Sequence, residues 1–335
     1  MDLPFATGID LIAALQGAGW LDALMRFFSF LGSEQFYMFV LPLVYWGIDA
    51  ALGVRIGLIL LFGQFFNSLV KLGLRSPRPY WTDPQLKALA AESSFGAPSG
   101  HAQNAVGIWG TVGAHSRRNA VWWLAGALIF LIGISRLYLA VHFPLDVLLG
   151  WLLGALTLWA FLALWDRLAA WVGRRTLLQQ VLLAAGLPAL LLAGNGLLTY
   201  GLRGYVLPAD WIANAARAGA QPAPLAMEAA LSAAGAMLGL DLGLVWVGRR
   251  GGYRPPAALW RRLACVLVGI LGVAVIYLGL KALLPAGESL AASAWRLVRY
   301  ALLGVWIAGG APWVFARLGL VTQPAGGLQA SGAAA

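Results

Sequence analysis

His142 and Asp146 lie four residues apart, one turn of a helix, so the carboxylate can hold one ring N–H and aim the other imidazole nitrogen at an electrophile. That is the arrangement of a nucleophile and the group that orients it. His101 has no acid close by in the sequence, which makes it the candidate for giving a proton to a leaving oxygen and later taking one from water. Lys71, Arg78 and Arg136 supply three cations with no competing carboxylate close by, a set suited to a dianionic phosphate. Pro98-Ser99-Gly100 turns into a helix, so its backbone N–H groups, the helix dipole and the Ser99 hydroxyl would face the same anion. Phosphate-ester cleavage is the chemistry these residue types and spacings predict. Cys265 is the single cysteine and no carboxylates cluster, so metal-independent chemistry with no cofactor is expected.

What must position these groups is a membrane bundle. Hydrophobic residues make up 61% of the 335, charged residues only 11%, and the mean hydropathy is +0.78. A soluble domain carries about 25% charged residues. There are too few charges here to coat a globular surface, so an all-α polytopic membrane protein is predicted. A crossing helix needs about 20 apolar residues. Nine stretches fit or nearly fit, at 34–49, 53–72, 101–115, 120–138, 145–164, 177–199, 226–247, 261–283 and 295–316. The third carries His101, Gln103, Asn104 and Thr111 and must therefore face the bundle interior. Residues 8–31 mix Asp10, Asp22 and Arg26 with Trp20, Phe27 and Phe28, the pattern of amphipathic helices lying in the interface. The start, Met1-Asp2-Leu3-Pro4, lacks the basic region of a cleaved signal peptide.

The net charge of +10 raises the question of nucleic acid, which would need the basic residues gathered in a soluble patch. They sit instead in short loops between apolar runs. The pairs Arg117-Arg118, Arg174-Arg175, Arg249-Arg250 and Arg261-Arg262 all fall on one side of a nine-span threading, which places the N-terminus outside and the C-terminus in the cytoplasm. Lys71, Arg78, Ser99, Gly100, His101, Arg136, His142 and Asp146 then reach one outer face, contributed by the ends of four helices. Only Lys71, Lys87 and Lys281 among the 23 basic residues are lysines, a bias suggesting a GC-rich bacterial genome and a bacterial inner membrane. Tyr80 to Ala97 should form a lid or rim over the site, with Tyr80 and Trp81 either lining it or serving as interfacial anchors. Gln64, Asn67 and Lys71 form a polar stripe suited to interhelical hydrogen bonds.

Lys71-(six residues)-Arg78-Pro79, then Pro98-Ser99-Gly100-His101, then Ser135-Arg136-(five residues)-His142-(three residues)-Asp146 resembles the three-part signature of the type 2 phosphatidic acid phosphatase (PAP2) superfamily. The resemblance implies a phosphohistidine on His142, oriented by Asp146, with His101 as general acid. It also implies that Lys71, Arg78, Ser99, Gly100 and Arg136 bind the phosphoryl group. The expected organisation is an interfacial segment over 1–32, a PAP2-type catalytic core over 33–165, a four-span extension over 177–318 and a disordered tail over 319–335. The nine-span layout, with Arg78-Pro79-Tyr80-Trp81, Ser135-Arg136-Leu137-Tyr138-Leu139-Ala140 and His142-Phe143-Pro144, is similar to the glucose-6-phosphatase branch. Asp146 departs from that branch and agrees with the lipid-phosphatase branches. The expected substrate is a phosphate monoester or diphosphate of a lipid, with a sugar phosphate as the alternative. A lipid phosphotransferase would use the same site, and a transporter or scramblase is the reading from a different class.

Overall fold

A computed structural model describes residues 3–283 and 289–321, with side chains from residue 8 onward. The expected tail over 319–335 lies, from residue 322 on, outside the described residues. Every regular element described is a helix: α1 Leu3–Gly17, α2 Asp22–Leu31, α3 Glu34–Leu43, α4 Ala50–Leu74, α5 Pro79–Thr82, α6 Gly100–Ser116, α7 Asn119–Tyr138 and α8 Pro144–Gly173. They are followed by α9 Leu177–Gly201, α10 Ala209–Arg217, α11 Glu228–Gly248, α12 Leu259–Leu283, α13 Leu290–Val305 and α14 Ala311–Arg317. Helices α8, α9 and α12 leave apolar side chains such as Leu152, Trp159, Leu190 and Leu267 exposed, as lipid-facing helices do. The chain is an all-α integral membrane protein.

Nine crossings are predicted from hydropathy. Among the described residues seven helices are long and apolar enough, or eight if Gly19–Leu31 and Glu34–Ile48, which meet at 55°, form one broken span. The difference has two physical sources. The first predicted span is a helix from Glu34 to Ile48 only, ending in a π-helical turn at Val44–Ile48; it is too short to cross alone, and the bend separates it from Gly19–Leu31. The third predicted span is α6, only 17 residues long, whose Gln103, Asn104 and Thr111 are buried among protein groups.

The chain divides into two compact units, each assembled from separate stretches of sequence. The first comprises Met1–Met38, Phe62–Ala160 and Gly194–Met227. Its centre is the approach of α8 to α6. A Cβ on Gly150 would lie 2.5 Å from the Ser99 carbonyl oxygen, and one on Gly154 would lie 2.7 Å from that of Gln103. Glycines four residues apart thus let the two helix backbones touch. The polar stripe of α4 meets the same helix: Asn67 Nδ2 donates to Gln103 Oε1 at 2.8 Å, and Gln103 Nε2 donates to the Gly63 carbonyl at 2.9 Å. These are buried interhelical bonds, each group satisfied by its neighbour.

The second unit comprises Phe39–Leu61, Phe161–Ala193 and Glu228–Ala335. It repeats the glycine device. Gly235, Gly239 and Gly243 form one face of α11, where added methyl groups would meet the Leu297 carbonyl, the Ala301 carbonyl and the Ala308 methyl. Trp46 Nε1 donates to the Ile307 carbonyl at 2.9 Å and Tyr45 Oη to that of Ala308 at 2.9 Å, tying one π-helical turn to another.

Candidate active site

Helix ends in the first unit deliver the groups. Lys71 lies in the last turn of α4, Arg136 in the last turn of α7 and Asp146 in the first turn of α8. Ser99 caps α6: its backbone is extended and its Oγ accepts the Ala102 N–H at 3.4 Å. The amides of Gly100 and His101, in the first turn, have no intrahelical acceptor and point beyond the helix end. Between α7 and α8 the chain reverses at Ala140, whose φ of 57° is left-handed. Val141 N–H returns to the Arg136 carbonyl (3.2 Å) and Ala140 N–H to that of Leu137 (2.8 Å). This is a helix stop of the kind usually closed by glycine. It sets His142 immediately before α8.

His142 is buried between two partners of opposite kind. Its Nδ1 lies 3.3 Å from Asp146 Oδ2, which also accepts the Phe143 N–H at 2.9 Å. Its Nε2 lies 3.4 Å from Arg78 Nη1. A carboxylate oxygen can only accept and a guanidinium nitrogen can only donate. The ring therefore carries its proton on Nδ1 and leaves Nε2 unprotonated, its lone pair facing the Arg78 donor. Burial, followed by the positive fields of Arg78, Lys71 and Arg136, holds the imidazole well below its ordinary pKa and so neutral.

The cations converge but are differently engaged. Arg78 donates from Nε to the Ser94 carbonyl (2.7 Å), from Nη1 to that of Val141 (2.8 Å), and from Nη2 to Ser94 Oγ (3.0 Å) and the Phe95 carbonyl (3.2 Å). Lys71 Nζ shares the Phe95 carbonyl and reaches that of Gly96 at 2.9 Å. Two of the three expected phosphate ligands thus also pin the segment after Glu92. Gly96 has no room for a side chain there, since a Cβ would strike the Pro77 carbonyl and come 3.1 Å from Asp146 Oδ2. Arg136 donates from Nη1 to Ser29 Oγ and from Nη2 to Glu92 Oε1, while its buried Nε has no partner among the described residues. Ser99 donates its N–H to the Asp146 carbonyl at 2.8 Å, and Gly100 would place a Cβ 3.5 Å from Asn67 Oδ1. His101, half-buried, packs against Gly32, where a Cβ would approach its Cδ2 to 3.3 Å. All eight predicted site residues belong to this one unit. Among the described residues no three His, Cys, Asp or Glu side chains gather as a metal would require.

The expectation that no carboxylate competes for these cations is corrected by Glu92. Its Oε1 pairs with Arg136, and its Oε2 lies 4.0 Å from Arg78 Nη2. Burial opposes its ionisation, but Arg78 and Arg136, then His101 and Lys71, outweigh that and pull its pKa down to about 2. Ser29, from the N-terminal segment, is a second supporting group that sequence reasoning missed. Tyr80, expected either to line the site or to anchor at the interface, supports Glu92: its hydroxyl donates to the Glu92 carbonyl at 2.9 Å and accepts the Glu92 N–H at 3.1 Å. Glu92 stands in the segment predicted to cover the site, and that position was the available signal.

Known proteins give independent bearings. Residues 52–169 match the family model of the PAP2 superfamily, and residues 231–323 match that of the PAP2 superfamily phosphatase transmembrane extension. Phosphatidylglycerophosphatase B of Bacillus subtilis is 31% identical over 161 residues, covering 44% of this chain and 77% of that protein. Human sphingosine-1-phosphate phosphatase 2 is 36% identical over 40% of this chain and 35% of its own length. Glucose-6-phosphatase catalytic subunit 1 of Haplochromis nubilus is 26% identical over 47% of this chain and 53% of its own. The chain therefore spans about three quarters of the first of these proteins but only about a third and a half of the other two. The match to the family model over the helices that hold this site, together with the likeness to the Bacillus protein, makes the chain a member of the PAP2 superfamily, a PAP2-type phosphatase bearing that superfamily's transmembrane extension.

Proposed function

We propose that the chain hydrolyses a phosphate monoester or diphosphate of a lipid through a covalent intermediate on His142. The observation that carries this is the position of the ring between Asp146 and Arg78, which keeps Nε2 unprotonated inside a cluster of cations. In the first step Nε2 attacks phosphorus in line. The bond from phosphorus to the leaving oxygen breaks, and His101 protonates that oxygen. In the second step His101 takes a proton from water, the hydroxide oxygen attacks phosphorus, and the phosphorus–nitrogen bond breaks to release phosphate. Developing negative charge is held by Arg136, whose Nε is the unused buried donor, and by Arg78, Lys71, the Ser99 hydroxyl and the Gly100 and His101 amides. Asp146 is a positioning residue in this scheme.

A lipid substrate is favoured because the relatives of higher identity are named for lipid phosphates, and the acid at Asp146 agrees with what the resemblance to the lipid-phosphatase branches implies. The likeness to a glucose-6-phosphatase supports a sugar phosphate as the second reading. On this reading the bent pair is one crossing, taking in part of the segment expected in the interface, and the short polar α6 is another, with the site on the extracytoplasmic side of a bacterial inner membrane. On this reading 33–165 is the catalytic core and 177–318 an extension to it.

Purified protein in detergent, with chelator present, should release phosphate from phosphatidate, polyprenyl or sphingoid phosphates faster than from glucose 6-phosphate. His142→Ala and His101→Ala should each abolish turnover. Only His101→Ala should still trap labelled phosphate on the protein when the substrate carries an activated leaving group. Normal turnover by His142→Ala would refute the nucleophile, and a preference for the sugar ester would replace the lipid reading.

A further inference from the structure

Glu92 sits where an anion-binding site should have no acid. One oxygen is on Arg136, and the other faces Arg78 at 4.0 Å. The backbone around it is held on every side. Tyr80 clamps both the N–H and the carbonyl of Glu92. The Ser93 carbonyl accepts from Ala223 N–H at 2.9 Å, the Ser94 and Phe95 carbonyls are bound by Arg78, and Gly96 N–H donates to Ser76 at 2.8 Å. With its backbone clamped and its carboxylate paired to Arg136, Glu92 stays at the site when a phosphate arrives. It is a fixed part of the wall.

Its neighbours define what the wall prefers. The charged and titratable groups facing Glu92 are Arg78, Arg136, Lys71 and His101, with Glu34, at the surface of α3, the further acid within its field, and the Tyr80 hydroxyl on its backbone. Lys71, Arg78 and Arg136 against Glu92 and Asp146 leave a formal charge of +1 while His142 and His101 are neutral, so the proton that His101 passes to the leaving oxygen has to arrive with the substrate. A dianion would overfill that site, whereas a monoanion balances it. A singly charged phosphomonoester also carries a P–OH, which needs an acceptor. Asp146 Oδ2 is already occupied by Phe143 N–H and His142 Nδ1. Glu92, whose side chain is 31% exposed and whose second oxygen makes only the long contact to Arg78, has acceptor capacity to offer.

We propose that Glu92 is a specificity-determining residue that selects the monoprotonated form of the phosphoryl group, its carboxylate accepting the P–OH while Arg136 and Arg78 hold the ionised oxygens. This rests on the reading of the site as the phosphoryl site. Glu92 itself stays ionised across the working range, since the arginines hold its pKa at about 2, so the titration that matters is that of the substrate.

The test is the pH dependence of kcat/KM for two soluble phosphomonoesters, one aryl and one alkyl, whose second ionisations differ but lie near pH 6. In the unsubstituted protein the falling limb should begin at each substrate's own second pKa and drop about tenfold per pH unit beyond it. In Glu92→Gln, which keeps an oxygen acceptor but removes the charge, the dianion should be accepted. At pH 8, two units past that pKa, its kcat/KM should exceed that of the parent by up to about a hundredfold, with a correspondingly shallower limb. A falling limb at the same pH for both substrates would mean that an enzyme group sets it, and would overturn the proposal, as would an unchanged limb in Glu92→Gln. The two-substrate comparison needs no variant, so it decides the matter even if Glu92→Gln fails to fold. Absence of turnover with both esters, or turnover that survives His142→Ala, would instead overturn the phosphoryl-site reading, and this proposal with it.

Discussion

Asp146 offers the sharpest test of the geometry around His142, because two substitutions separate its charge from its shape. One oxygen, Oδ2, receives both the Phe143 N–H at 2.9 Å and His142 Nδ1 at 3.3 Å. In Asp146→Asn the amide oxygen can take over both contacts, so the ring keeps its tautomer and its aim but loses a charge-assisted partner. Hydrogen bonds to charged groups contribute about 1.5–3 kcal/mol and neutral ones about 0.5–1.5. The difference, about 1 kcal/mol, corresponds to a fall in kcat of about five- to tenfold. Asp146→Ala removes the acceptor altogether, so the full charged contribution is lost and Nε2 is no longer aimed. A fall of about 10- to 150-fold in kcat is expected, with a lower melting temperature because the Phe143 amide also loses this partner. Steady-state kinetics on a soluble phosphomonoester, with rapid-quench measurement of phosphoenzyme formation, reads both effects. If Asn and Ala variants fall equally, charge and not aim is what Asp146 contributes. If the loss is confined to KM with kcat intact, the positioning role is refuted.

Two further outcomes follow from the packing and the buried charges. Gly150→Leu or Gly154→Leu should destabilise the protein by at least about 1–3 kcal/mol, seen as a lower melting temperature in detergent, because the side chain must enter the Ser99 or Gln103 backbone of α6; unchanged stability would mean that α6 and α8 are not in contact. Acid should destabilise the protein in two stages. His142 is held neutral while an unfolded histidine protonates from about pH 6.5 downward, so stability falls as pH drops below 6.5. Glu92, held at about 2 against a usual 4.5, adds stability above 4.5 that is lost as pH falls toward 2. Melting curves across this range should show His142→Ala relieving the first stage and Glu92→Gln the second.

The residues proposed to do chemistry were legible in the chain because their relations are local. His142 and Asp146 are one helical turn apart, Ser99 precedes a helix it can cap, and a 61% apolar composition demands a membrane bundle whose polar positions face inward. Gly150 and Gly154 were equally open to reading, as a small-residue pair in an apolar helix. The number of crossings was less so, since hydropathy does not register the bend between Leu31 and Glu34 or how short α6 is. What needed the tertiary structure was everything that depends on chain segments far apart in sequence. Ser29 meets Arg136 across 107 positions and Glu92 meets it across 44, and no spacing rule connects them. The carbonyls of Ser94, Phe95 and Gly96, which bind Arg78 and Lys71, have no side-chain signature at all. Every residue carries a carbonyl, and only the path of the backbone decides which of them faces a cation. The same path places an acid among the arginines, and so decides the net charge of a site whose individual cations could be read from the sequence.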